Sequence, residues 1–220
     1  MKYLDIKGAR VPAIGLGTWQ LSGRGCEEAV RQALDLGYRH IDTAQMYGNE
    51  AEVGRAIRAS GLGRDQIFLT TKLAPGNLAA GAVRRTAEES LRRLGTDHVD
   101  LLLIHWPTGE APLGETLGAM ADLRAAGKTR HIGVSNFNVQ LLKEAMETYG
   151  ADLLCNQVEY HPYLSQRAVL AAVRRYGMML TAYTPLARGR VARDPTLAAI
   201  GRKHDKSPAQ VALRWLLDQD

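Results

Sequence analysis

Residues 99 to 106 read VDLLLIHW, and this short run decides the fold. After Asp100 it is apolar without interruption until His105, where a strand with one wet face would alternate. Such a run marks a parallel strand covered on both faces. Six more candidates lie along the chain: AIGLGTW (13 to 19), HIDTA (40 to 44), IFLTTKL (67 to 73), RHIGVSNF (130 to 137), LLCNQVEY (153 to 160) and MLTAYTPL (179 to 186). Most share the same continuous apolar character.

Between these runs the apolar residues recur at helical spacing. Ala29, Val30, Ala33 and Leu34 form one stripe, Val83, Ala87, Leu91 and Leu94 a second, and Leu141, Leu142, Ala145, Met146 and Tyr149 a third. Gly37, Gly95, Gly127, Gly150 and Gly177 each follow a helical segment, where a left-handed terminal residue is favoured. Ser207-Pro208 has the form of an N-cap followed by proline at the first helical position. A strand-helix repeat of roughly 25 to 30 residues through a whole chain favours a (β/α)8 TIM barrel over an open doubly wound sheet, though the alternation alone permits both. The dinucleotide fingerprint of the open sheet is missing, because GLGTWQ carries Gln20 where a third glycine belongs.

The totals fit one globular α/β domain spanning 1 to 220: 45% hydrophobic and 23% charged residues, with no linker or composition shift. The net charge of +5 is spread over helical segments, so nucleic acid is not an expected partner. Cys26 and Cys155 fit neither a disulfide framework nor a zinc site. No apolar run reaches a membrane span, and the N-terminus lacks a secretory pattern, so a monomer in the cytoplasm is expected.

In a barrel the chemistry gathers where strands end. Strand ends here carry Asp42 and then Tyr47, Lys72, His105, Ser135-Asn136, Gln157 and Tyr183. One such residue is ordinarily a rim or core group, but an acid, a phenol, an ammonium and an imidazole from three successive strand ends make a coherent set. A phenol titrates near 10, and a neighbouring ammonium favours the phenolate and lowers that value. Lys72 is expected to act so on Tyr47, with Asp42 holding the lysine charged. A neutral His105 then donates a hydrogen bond to an oxygen near Tyr47. The set suits protonation of an oxyanion forming on a carbonyl; no nucleophile with a His and acid, and no metal cluster, supports hydrolysis.

The motifs GLGTW, GYRHIDTAQMYGNEAEVGRAI, TTKL, LLLIHWP, IGVSNF, NQVEYHP and AYTPL, in that order, resemble the aldo-keto reductase family from the first strand to residue 220, most nearly its bacterial diketo-gluconate and methylglyoxal reductases. The resemblance implies a catalytic tetrad of Asp42, Tyr47, Lys72 and His105, with Tyr47 as general acid and direct hydride transfer from NADPH, NADH being also open. It implies that Ser135, Asn136 and Gln157 hold the nicotinamide carboxamide and that Tyr183 stacks on the ring. Thr18 and Asp42 join the cofactor contacts, and Thr184, Pro185 and Leu186 form the pyrophosphate loop. Trp19, Met46 and Trp106 line the pocket for a small carbonyl substrate. The family's eighth strand, its 2'-phosphate loop and its C-terminal substrate loop have no counterpart in the 220 residues: either these residues are part of a longer chain that supplies them, the favoured reading, or the barrel is open, which would leave its first and seventh strands unpaired. Arg188 and Arg190 are cations near the pyrophosphate loop. Two other readings of the same barrel are a nucleotide-binding regulatory subunit and an inactive truncated barrel; an intact tetrad speaks against the first.

Overall fold

Seven parallel strands join edge to edge in chain order in the computed structural model, which describes residues 1–219. They are β3 (Leu16–Gly17), β4 (His40–Asp42), β5 (Phe68–Leu73), β6 (Val99–Ile104), β7 (Thr129–Ser135), β8 (Leu153–Glu159) and β9 (Met179–Tyr183). An antiparallel hairpin, β1 (Tyr3–Ile6) and β2 (Ala9–Pro12), precedes them. The helices are α1 (Gly23–Asp35), α2 (Glu50–Ala59), α3 (Ala80–Leu94), α4 (Leu113–Ala125), α5 (Val139–Lys143), α6 (Arg167–Arg175), α7 (Pro195–Arg202) and α8 (Pro208–Leu217). β3 and β9 lie at the two ends of the sheet.

The continuous apolar run of β6 divides by period two. Leu102 and Ile104 enter the large core that the helices share, with Val30, Val53, Val83, Leu91 and Met120. Leu101 and Leu103 turn the other way, into a second core with Phe68, Cys155 and Met179 that the hairpin's Ala9 and Val11 join from below. Both faces are therefore dry. The inward positions continue upward as Phe68, Thr70 and Lys72 on β5, as Leu101 and Leu103 on β6 with His105 just past its end, and as Cys155 and Gln157 on β8. Apolar residues fill the lower barrel, and polar ones crown its C-terminal end.

Three expectations need correction. The predicted first strand, 13 to 19, shrinks to Leu16–Gly17. A Cβ at Gly15 would lie 2.9 Å from the His40 ring, so only glycine fits there, and beyond Gly17 the amide of Thr18 extends the ladder to the Asp42 carbonyl at 2.9 Å. The hairpin was not anticipated, because its two strands, YLDI and ARVP, are only four residues each and carry no sustained alternating run. The third helical stripe is interrupted: α5 covers only Val139–Lys143 and widens into a π-helical turn at Glu144–Thr148, leaving Tyr149 exposed. The predicted helix terminators hold, since Gly37, Gly95, Gly127, Gly150 and Gly177 all have positive φ. Ser207 caps α8 in a reciprocal box with Gln210.

Candidate active site

Strand registry brings the ionisable groups together. Asp42 ends β4, and the ladder continues beyond it through Thr43, whose amide reaches the Thr70 carbonyl at 2.9 Å. Lys72 pairs with Leu103 in register, and the amide of His105 donates to the Leu73 carbonyl at 3.2 Å, so both side chains emerge at one level. Tyr47 closes a single 3-10 turn, Gln45–Tyr47, that follows β4 and is terminated by Gly48 at φ 66°.

Lys72 is completely buried. Its Nζ forms an ion pair with Asp42 Oδ1 and donates to the Thr43 carbonyl at 3.0 Å and to the Tyr47 hydroxyl at 3.3 Å. An ammonium has three protons, and all three are placed. Burial works against its charge, yet Asp42 and the Tyr47 hydroxyl outweigh it and raise the pKa of Lys72 above the ordinary value. The other oxygen of Asp42 accepts from Gln157 Nε2 at 2.7 Å.

The expectation for Tyr47 is half right. Lys72 does pull the phenol down, but burial pushes it up more strongly, and Asp42 adds to the rise. The pKa of Tyr47 therefore ends above its ordinary value, and at neutral pH the phenol keeps its proton. The rings of Tyr47 and His105 meet edge to face at 5.5 Å. Burial, then the charge of Lys72, depress His105 to about 4, so the imidazole is neutral at pH 7, as expected. Its Nδ1 is enclosed without a hydrogen-bond partner among the described residues, which leaves Nε2 as the nitrogen open to a ligand.

Beside this cluster, Ser135 Oγ donates to the Gln157 carbonyl at 2.8 Å. Asn136, at φ 63°, donates to the His105 carbonyl at 3.0 Å and to Ser135 Oγ at 3.1 Å, and accepts from the Tyr183 hydroxyl at 2.9 Å. Thr18 is buried, with its Oγ1 donating to the Asp42 carbonyl at 3.2 Å. The exposed apolar side chains Trp19, Met46 and Trp106 each immediately follow or precede one of these residues: Thr18, Tyr47 and His105. Past Tyr183 the chain runs through Thr184, Pro185 and Leu186 into a loop with positive φ at Thr184, Ala187, Arg188 and Gly189. Arg188 sits 5.8 Å from the Trp19 ring centre and Arg190 lies 4.1 Å from that of Tyr163.

The chain's match to the Aldo/keto reductase family covers residues 13–220. It belongs to that family. Its members are NAD(P)H-dependent oxidoreductases acting on carbonyls. Methylglyoxal reductase DkgB of Escherichia coli O157:H7 is 42% identical over 212 residues, 95% of this chain and 79% of that protein. An aldo/keto reductase from Brucella melitensis superposes with a TM-score of 0.93 at 40% identity, covering 99% of this chain and 84% of that one. The aldose reductase of Schistosoma japonicum gives a TM-score of 0.94 at 33% identity, covering 100% and 80%. No helix among the described residues is long and apolar enough to cross a membrane.

Two polar residues escaped the sequence reading. Asn49 is buried and donates to the carbonyls of Thr18 and Leu21 at 2.8 and 2.9 Å while accepting from Thr43 Oγ1 at 2.7 Å. Gln45 ties the opposite side of the same turn to β5 and α3. Their signal was an amide on each side of Tyr47 in AQMYGNE, where turn propensity alone accounts for only one.

Proposed function

We propose that this chain, working as one barrel domain over residues 1 to 220, reduces aldehydes and ketones with NADPH, and that Tyr47 protonates the nascent alkoxide. The observation that carries the reading is Lys72, whose one buried ammonium joins Asp42 to the phenol.

The acceptor oxygens suit the amide group of a nicotinamide carboxamide. Gln157 gives one amide proton to Asp42 and leaves Oε1 to accept, while Asn136 Oδ1 retains a second lone pair. Ser135 accepts in the same way, Tyr183 provides the stacking face, and Thr18, Thr184, Pro185 and Leu186 flank the remainder of the cofactor. When bound, the cofactor supplies the hydride to the carbonyl carbon. The chain's own part is to orient and to move one proton. His105, neutral, offers Nε2–H to the carbonyl oxygen and holds it beside the Tyr47 hydroxyl. As negative charge grows on that oxygen, the phenol gives up its proton. The phenolate left behind faces Lys72 at 3.3 Å, which stabilises it, and Asp42 keeps Lys72 cationic throughout. Trp19, Met46 and Trp106 present apolar walls to a small substrate. The relatives named methylglyoxal reductase make a small dicarbonyl the first choice.

Consumption of NADPH and, separately, of NADH with methylglyoxal tests this, with Tyr47→Phe alongside. Turnover with NADPH that disappears in the Phe variant is the expected result. Tight cofactor binding without turnover by the unaltered chain would instead favour a regulatory role.

A further inference from the structure

We propose that Gln45 is a positioning residue that sets the separation of Tyr47 from Lys72. The inference rests on the reading of Tyr47 as proton donor. Among the described residues no side-chain hydrogen bond joins Gln45 to the four groups in the cluster, yet its amide is hydrogen-bonded through every donor and lone pair. Its Oε1 accepts from the backbone amide of Ala74 at 2.8 Å and from Asn77 Nδ2 at 3.0 Å. Its Nε2 donates to the Thr86 carbonyl and to Ser90 Oγ, each at 3.1 Å. Because the Ala74 partner is an obligate donor, the orientation of the amide is fixed.

The placement of those partners gives the arrangement its purpose. Ala74 lies two residues beyond Lys72 on the same chain segment, Asn77 ends the short 3-10 turn Pro75–Asn77, and Thr86 and Ser90 are buried positions of α3. Lys72 cannot move independently, since it is locked into β5 with all its protons engaged. The phenol is less secure, because it stands on a three-residue turn held by two backbone hydrogen bonds, Tyr47 to the Ala44 carbonyl at 3.1 Å and Gly48 to the Gln45 carbonyl at 3.3 Å. A 3-10 turn that short has poor hydrogen-bond geometry of its own. Gln45 connects it to the end of the strand that carries Lys72, and Asn49 connects its far side to Thr18, Leu21 and Thr43. Of the two, Gln45 alone reaches the β5 segment, so the Tyr47 to Lys72 distance is transmitted through it.

The test is the pH profile of carbonyl reduction by Gln45→Met, a side chain of similar length without the amide. Reduction needs Tyr47 protonated, so activity falls as pH rises through the phenol's pKa. If the turn loosens, the phenol recedes from Lys72, the attraction that lowers its pKa weakens, and the alkaline limb moves to higher pH. At saturating NADPH and methylglyoxal, kcat is expected to drop about tenfold to a hundredfold, as small misplacements of reacting groups do, with KM for NADPH near the wild-type value. A melting temperature that falls while kcat and the alkaline limb stay in place would reduce Gln45 to a structural role and overturn the inference. Should Gln45→Met fail to fold, the pair Asn77→Ala and Ser90→Ala strips one bond from each end of the amide, and an unmoved limb there overturns it equally. Full turnover in Tyr47→Phe would instead remove the underlying reading, whatever Gln45 does.

Discussion

Lys72 and Tyr47 stand 3.3 Å apart, nitrogen to oxygen, although one leaves the end of a buried strand and the other a turn 25 residues earlier in the chain. The contact matters because opposing effects meet in it. Burial raises the phenol's pKa, Lys72 lowers it, and burial wins. The resting site therefore holds a protonated phenol beside a fixed cation; in the proposed mechanism the cation's benefit is realised as the proton leaves.

Replacing Lys72 by Met removes the one attraction that lowers the Tyr47 pKa. The alkaline limb of reduction should move upward in pH, because the phenol holds its proton longer, while kcat falls by about 10²-fold to 10⁴-fold, the usual range for a lost acid-base contribution. Stopped-flow single turnovers across pH measure both.

Tyr47→Phe leaves the cavity and its charges intact but deletes the transferable proton. Hydride transfer should slow by a similar factor, about 10²-fold to 10⁴-fold, while NADPH affinity, read by quenching of tryptophan fluorescence, stays near wild type.

Asp42→Ala strands a buried ammonium. Breaking one side of such a pair typically costs about 3 to 5 kcal/mol, and some of that is escaped when Lys72 sheds its proton. Urea unfolding at pH 7 should show a loss of that order. The loss should shrink as pH rises and the neutral lysine of the variant becomes easier to form.

His105 carries a pH dependence of its own. Its folded pKa, about 4, lies below the ordinary 6.5, so between those values the unfolded chain binds more protons than the folded one. The stabilisation is complete above pH 6.5 and fades as pH falls toward 4, by roughly 3 kcal/mol at most. A His105→Asn variant should lack this segment of the stability curve in urea titrations at pH 7 and pH 5.

Gly54 tests the helical layer. A Cβ there would sit 2.1 Å from the Leu94 carbonyl oxygen, a backbone atom that cannot rotate aside. Gly54→Ala should push α2 from the end of α3 and cost about 1 to 3 kcal/mol, the range for overpacking, measurable as a lower urea midpoint with unchanged NADPH dissociation constant.

The alternation of strands and helices and the inventory of chemical groups were legible in the residues alone. Continuous apolar runs such as 99 to 106 are legible because both faces of a parallel strand are dry, and helix ends are legible because a left-handed residue there favours glycine at Gly95 or Gly177. Asp42, Tyr47, Lys72 and His105 could be found because polar groups at strand ends interrupt an apolar pattern. How those groups balance is set by the packed barrel. Whether the phenol's pKa rises or falls depends on how much burial opposes one ammonium, and burial belongs to the assembled barrel. The close approach of the His40 ring to Gly15, beside the two-residue β3, is a contact that no local propensity encodes. Gln45 was silent in the sequence for the same reason: an amide beside a turn looks like any other until Ala74, Asn77, Thr86 and Ser90, all more than 25 residues away in the chain, close around it.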